Sequence, residues 1–160
     1  MDFTHLHLMI THLPIFGVPL GAFVLIYGLY KNSPQTVLAS YLVLVIACIG
    51  GLIAYLTGEP AEETVELIQG ISKPVIESHE ESAELSLIGT AILGISSLLV
   101  LILDVKLIAF KRQIAFIILA FSIICFGLLA RTGYLGGQIR HTEVSDTGNL
   151  GGKQKSHSIE

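Results

Sequence analysis

The chain has no tryptophan, two cysteines in 160 residues and a charged fraction of 14%, little over half that of an ordinary soluble domain. The cysteines, Cys48 and Cys125, form neither CxxC nor CxxCH, which excludes covalent haem and leaves both as packing residues. There is no HExxH, no serine or cysteine beside a placed base, and no mid-span aspartate, so an intramembrane enzyme has little support. Basic residues are few and scattered and the pI is about 5.8, which excludes a nucleic-acid partner. The amino terminus carries Asp2 and histidines rather than Lys or Arg, and no small-residue cleavage site follows. The first apolar segment is therefore expected to stay as a helix.

What the chain does have is apolar length. Hydrophobic residues make up 52% and the mean hydropathy is +0.73, values that indicate an integral membrane protein. Four stretches, about 9–30, 37–56, 74–105 and 114–130, are expected as helices, each long enough for the ~20 residues that cross a ~30 Å hydrocarbon layer. The expected fold is all-α, a four-helix transmembrane bundle over residues 1–144 followed by a flexible polar tail, 145–160. A short amphipathic helix is expected from Pro60 to Gln69. Lys31, Lys106, Lys111 and Arg112 lie in the two short loops, which puts those loops in the cytoplasm. Both termini, the Thr57 to Glu84 loop, twelve of the thirteen acids and all six histidines then fall at the outer face.

In the first helix His5, Leu8, Met9, His12, Phe16, Pro19 and Phe23 share one side, and Gly17, Gly21 and Gly28 lie nearly opposite. The glycines form a surface suited to a second copy of the chain or to a partner helix. Pro14 and Pro19 free the carbonyls of Ile10 and Ile15. In the third helix His79 shares a side with Ile76, Ser82, Ser86, Thr90 and Ser97, while Glu77, Glu81 and Glu84 point away. Glu59 and Glu80 are left as the inward candidates among the loop carboxylates. The fourth helix is expected to end at Arg131. Gly133, Gly136 and Gly137 would then let Arg140, His141 and Glu143 fold back over the outer end. His157 in the tail is read as inert.

HLMITHLPIF resembles the H-x4-H-x-P-I opening of a bacterial four-helix membrane family catalogued as domain of unknown function 2231, matching at His7, His12, Pro14 and Ile15. LTGEPAEETVE, SHEESAE and GGQIRHTE resemble its later blocks at Gly58, Glu59, Pro60, Glu62, Glu63, Glu66, His79, Glu80, Arg140, His141 and Glu143. Leu8 departs from the pattern, since the family often has Pro after its first histidine. The resemblance reaches to about Val144 and implies the four-helix fold in a bacterial inner membrane.

Neutral imidazole is the commonest protein metal ligand. Three inward histidines at one membrane boundary point to a haem b or a transition-metal ion (zinc, copper or iron), used in electron transfer or metal handling with a redox partner at the outer face. For haem, the expected ligands are His12, His79 and His141, with Arg131 and Arg140 placed for the propionates. A bare ion would draw on His7, His12, His79, His141, Glu59, Glu80 and Glu143. The alternatives are a non-catalytic assembly subunit, whose His/Arg/Glu cluster is a structural hydrogen-bond network, and a small transporter along the Ser/Thr stripe. The transporter ranks lower because no acid or base occurs in mid-membrane.

Overall fold

A computed structural model describes residues 3–60, 73–103 and 111–140. They form α1 (Phe3–Ile10), α2 (His12–Tyr30), α3 (Pro34–Leu56), α4 (Lys73–Ile102) and α5 (Lys111–Arg140), with no strand among the described residues. The expected helix from Pro60 to Gln69 falls almost wholly outside the described residues, as do His141, Glu143, His157 and the polar tail.

α1 and α2 are one span interrupted at Thr11. Pro14 has no N–H to give to the Ile10 carbonyl, so the ladder opens there. The neighbouring rungs survive, Thr11 N–H to His7 O at 3.0 Å and Ile15 N–H to Thr11 O at 3.4 Å. Between α2 and α3 the chain turns in three residues. Asn32 takes the left-handed conformation with φ 49, a position that asparagine tolerates better than most residues. Ser33 then caps α3 with Pro34 in its first turn.

Among the described residues four helices, with α1 and α2 taken as one, are long and apolar enough to cross a membrane. α2 packs on α3, α3 on α4 and α4 on α5, and α5 closes the ring against α2. Gly17 meets Ala47 and Gly28 meets Val37, Gly51 meets Thr90, and Gly89 meets Cys125, so each neighbour runs antiparallel. α4 and α5 have 30 residues each, or ~45 Å of helix against ~30 Å of hydrocarbon. The excess of α4 is its charged first turns, Lys73 to Glu84, which stand beyond the apolar layer beside the last turns of α5.

The packing is that of a bundle in lipid. Phe16, Phe23, Ile117 and Ile123 are outside, each more than 60% exposed, whereas Ser40, Ser86, Thr90, Ser97 and Ser122 are buried. Lipid removes the drive to hide large apolar groups, and small residues win the interior because they bring backbones together. The hydroxyls bond back to their own helices, Ser40 to Val37 O at 2.6 Å, Thr90 to Ser86 O at 2.8 Å, Ser97 to Leu93 O at 2.8 Å and Ser122 to Ile118 O at 2.7 Å. A hydroxyl has one proton, and at Ser40, Thr90, Ser97 and Ser122 it is spent within the helix, whereas Ser86 bonds across to Thr132. Cys48 packs against Gly94 and Cys125 lies near Gly89, both as free thiols.

Two expectations are corrected. The glycine face of the first span is covered from within the chain, because a Cβ on Gly17 would lie 2.8 Å from the Ala47 Cβ and one on Gly21 would lie 2.6 Å from Leu44 Cδ2. The opposite side, with His12, Phe16 and Phe23, therefore looks outward. The last helix does not stop at Arg131 but runs unbroken through Gly133, Gly136 and Gly137 to Arg140. Isolated glycine costs a helix about 1 kcal/mol against alanine, and tertiary contacts along these turns override that preference.

Candidate functional site

Among the described residues, His7 and His79 are the two inward histidines, at the end of the bundle that holds α1, the close of α3, the start of α4 and the close of α5. His7 is partly buried, and its Nδ1 lies 2.8 Å from the carbonyl oxygen of Ala54 near the end of α3. A carbonyl only accepts, so Nδ1 carries the proton and Nε2 carries the lone pair. Thr57 stands beside the ring with Oγ1 at 3.4 Å from Nδ1, its own hydroxyl hydrogen directed to Ile53 O or Ala54 O at 2.9 and 3.0 Å. A Cβ on Gly58 would come 3.5 Å from the His7 Cε1, so the ring lies across a residue with no side chain.

His79 repeats this arrangement on the other side of the bundle. Its Nδ1 donates to the carbonyl oxygen of Thr132 at 3.0 Å, which leaves Nε2 as the lone-pair nitrogen. A Cβ on Gly136 would lie 3.1 Å from its Cε1, tighter than ordinary contact. Gly136 is thus where α5 makes room for the imidazole. His79 stands on the part of α4 beyond the apolar layer. Burial lowers its proton affinity below the ordinary value of 6.5, the bond to Thr132 opposes that, a charge on His7 lowers it further, and Glu80 raises it.

Thr132 holds this end of α5 to α4. Its Oγ1 is 2.9 Å from Ser82 O and 3.1 Å from Leu128 O, and 2.8 Å from both the Ser82 and Ser86 hydroxyls. With its single proton directed to a carbonyl, its two lone pairs accept from the two serines. Sequence reasoning missed Thr132 because RTGYLGG was placed after the helix. A signal was present all the same, since Thr132 is four residues beyond Leu128 and would share its face if the helix continued.

His12 is not gathered into the site. It is exposed, its Nδ1 donates to Leu8 O one turn back at 2.7 Å, and its ring stacks on Phe16 with centroids 6.0 Å apart. His7 and His12 are five residues apart, which on a helix puts them on different sides of the span, and the glycine contacts fix which side is inward. Arg131, Glu59 and Glu80 are exposed. Arg140 ends α5, and His141 and Glu143 lie outside the described residues. Among the described residues no group of three or more His, Cys, Asp or Glu could hold a metal ion. What the fold does place at this end are two half-buried imidazoles, His7 on α1 and His79 on α4, each with Nδ1 donating to a backbone carbonyl.

Neither a curated protein nor a solved structure matches the chain significantly. The family model described as "Predicted membrane protein (DUF2231)" matches residues 4–146. With nearly the whole chain covered and four membrane-length helices in place, this protein belongs to the DUF2231 family of predicted membrane proteins.

Proposed function

We propose that the protein is a multi-pass subunit of a bacterial inner membrane that holds a haem b or a transition-metal ion through His7 and His79 at the outer face, for electron transfer or metal handling with a redox partner on that side. The observation that carries this is the paired Nδ1–H to carbonyl bonds, to Ala54 at 2.8 Å and Thr132 at 3.0 Å. Metal-ligating histidines donate their second nitrogen in this way, which fixes the tautomer and strengthens the ligand. If the group is bound, His7 and His79, two imidazoles carried by different helices at one end of the bundle, would hold it. Haem would supply one-electron chemistry there. A bare ion needs a further ligand from outside the described residues, and His141, the residue after the end of α5, is the candidate. His12 leaves the ligand set and His7 replaces it.

A second function, that of a non-catalytic assembly subunit, is favoured by Thr132, whose hydroxyl donates to one carbonyl and accepts from Ser82 and Ser86 along the α4/α5 seam, as a purely structural network would. Metal analysis and an absorption spectrum of the protein purified in detergent separate the two. A stoichiometric haem band or metal, lost in His7→Ala and in His79→Ala but kept in His12→Ala, is the expected result. Folded protein from haem- and metal-replete cells that carries neither would overturn the ligand function and leave the structural one.

A further inference from the structure

At the end of the bundle opposite the histidines, the turn after α2, the first turns of α3, the end of α4 and the start of α5 surround a cavity of about 190 Å³ that is open on one side. Its wall is mainly apolar, with Val37 and Leu38 from α3, Val100 from α4 and Ile114 from α5. Two polar groups break that wall. Tyr41 lines the cavity and is 2% exposed, and its hydroxyl has no hydrogen-bond partner among the described residues. Arg112 stands at the mouth, exposed, with its guanidinium 5.9 Å from the centre of the Phe116 ring. Lys31, over the Tyr30 ring at 5.2 Å, adds a second cation in the same turn region.

Buried hydroxyls almost always have partners, so the Tyr41 phenol calls for an acceptor that enters the cavity. The acceptor's carrier must be largely apolar to match the wall and anionic where it leaves the mouth. Every acidic residue among the described ones, from Glu59 to Glu84, is at the histidine end, so no described residue at this mouth neutralises the cations. Pockets that enclose a whole small ligand run to roughly 300–1,000 Å³. At about 190 Å³ this one has room for only part of such a molecule.

We propose that the cavity is a binding site for one anionic phospholipid, with the start of an acyl chain between α3, α4 and α5, an ester carbonyl accepting from the Tyr41 hydroxyl, and the phosphate against Arg112. The depths agree, since Tyr41 is two turns, ~10 Å, inward from Pro34 along α3, where an ester rather than a headgroup would lie. A basic pocket between transmembrane helices is a known form of headgroup site.

The test is native mass spectrometry of the full chain in detergent, titrated with phosphatidylglycerol and separately with phosphatidylcholine. The wild type should retain one phosphatidylglycerol per chain and hold it about fivefold or more tightly than phosphatidylcholine. Arg112→Gln should remove the preference, and Tyr41→Phe, nearly isosteric, should weaken retention of both lipids about threefold. Equal retention of the two lipids by the wild type, a result that needs no variant, would overturn the proposal. So would unchanged retention in both variants, or a quinone found in place of phospholipid.

Discussion

His79 donates from Nδ1 to the carbonyl oxygen of Thr132 at 3.0 Å, and four residues further along α5 Gly136 supplies the space that the same ring fills. One helix thus provides both the acceptor and the gap. The two glycines in this last turn are not equivalent, since a Cβ on Gly136 meets the imidazole at 3.1 Å while one on Gly137 meets nothing within 4 Å. Gly137→Ala should stabilise the protein by about 0.5–1 kcal/mol through helix propensity alone. Gly136→Val should destabilise it by about 1–3 kcal/mol by pressing on His79. Thermal unfolding of the two variants in one detergent checks the contrast, and equal shifts would show that His79 does not pack on Gly136.

Thr132→Val keeps the shape and removes the oxygen at the centre of the α4/α5 seam. Ser82 and Ser86 then lose the acceptor that lies 2.8 Å from each. A loss of about 1–2 kcal/mol is expected from stranded hydroxyls, at the upper end of what single interhelical bonds contribute in membrane bundles. Thr132→Ser should restore most of it. Denaturant unfolding of both variants is the measurement, and a Val variant as stable as the wild type would reduce the seam to packing.

Much of this was legible in the sequence. Four apolar runs fixed the number of spans, and the three-to-four spacing around His79 correctly put Ile76, Ser82, Ser86, Thr90 and Ser97 inside and Glu77, Glu81 and Glu84 outside. Periodicity groups residues by face but does not say which face turns inward when both are apolar. For the first span the choice fell to His12 beside Phe16, and the structure chose Gly17 and Gly21 because they admit Ala47 and Leu44. The glycines of RTGYLGG signalled a turn by propensity. Their use at Gly136, to seat an imidazole from another helix, is a tertiary fact that no local pattern carries.

Acid should weaken the fold through His79. Burial keeps its folded-state proton affinity below the ordinary 6.5, with a charge on His7 from α1 acting the same way and the Thr132 bond and Glu80 acting against. Above the unfolded value both states are neutral and the group contributes nothing to the pH dependence. As pH falls from about 6.5 the unfolded chain takes up a proton that the folded chain resists, so stability drops with pH. His79→Gln should flatten this slope between about pH 7 and 5. Unfolding midpoints across that range provide the check, and a slope unchanged in the variant would assign it to another group.

Gly17→Val decides between two uses of the glycine face. A Cβ there would lie 2.8 Å from the Ala47 Cβ, and alanine has no rotamer with which to yield, so α2 and α3 must part. If the surface serves the chain's own bundle, the variant should lose about 1–3 kcal/mol of stability, with the oligomeric state of the folded fraction unchanged. If the same glycines bound a second copy, the bundle would keep its melting temperature and the mass measured by light scattering in detergent would fall. Phe16→Ala, on the opposite face at 65% exposure, is the companion variant and should leave stability within about 0.5 kcal/mol. Small residues cover a seam and large ones face lipid, so the order of these two effects, Gly17 well above Phe16, is the reverse of what side-chain volume would suggest for a soluble core.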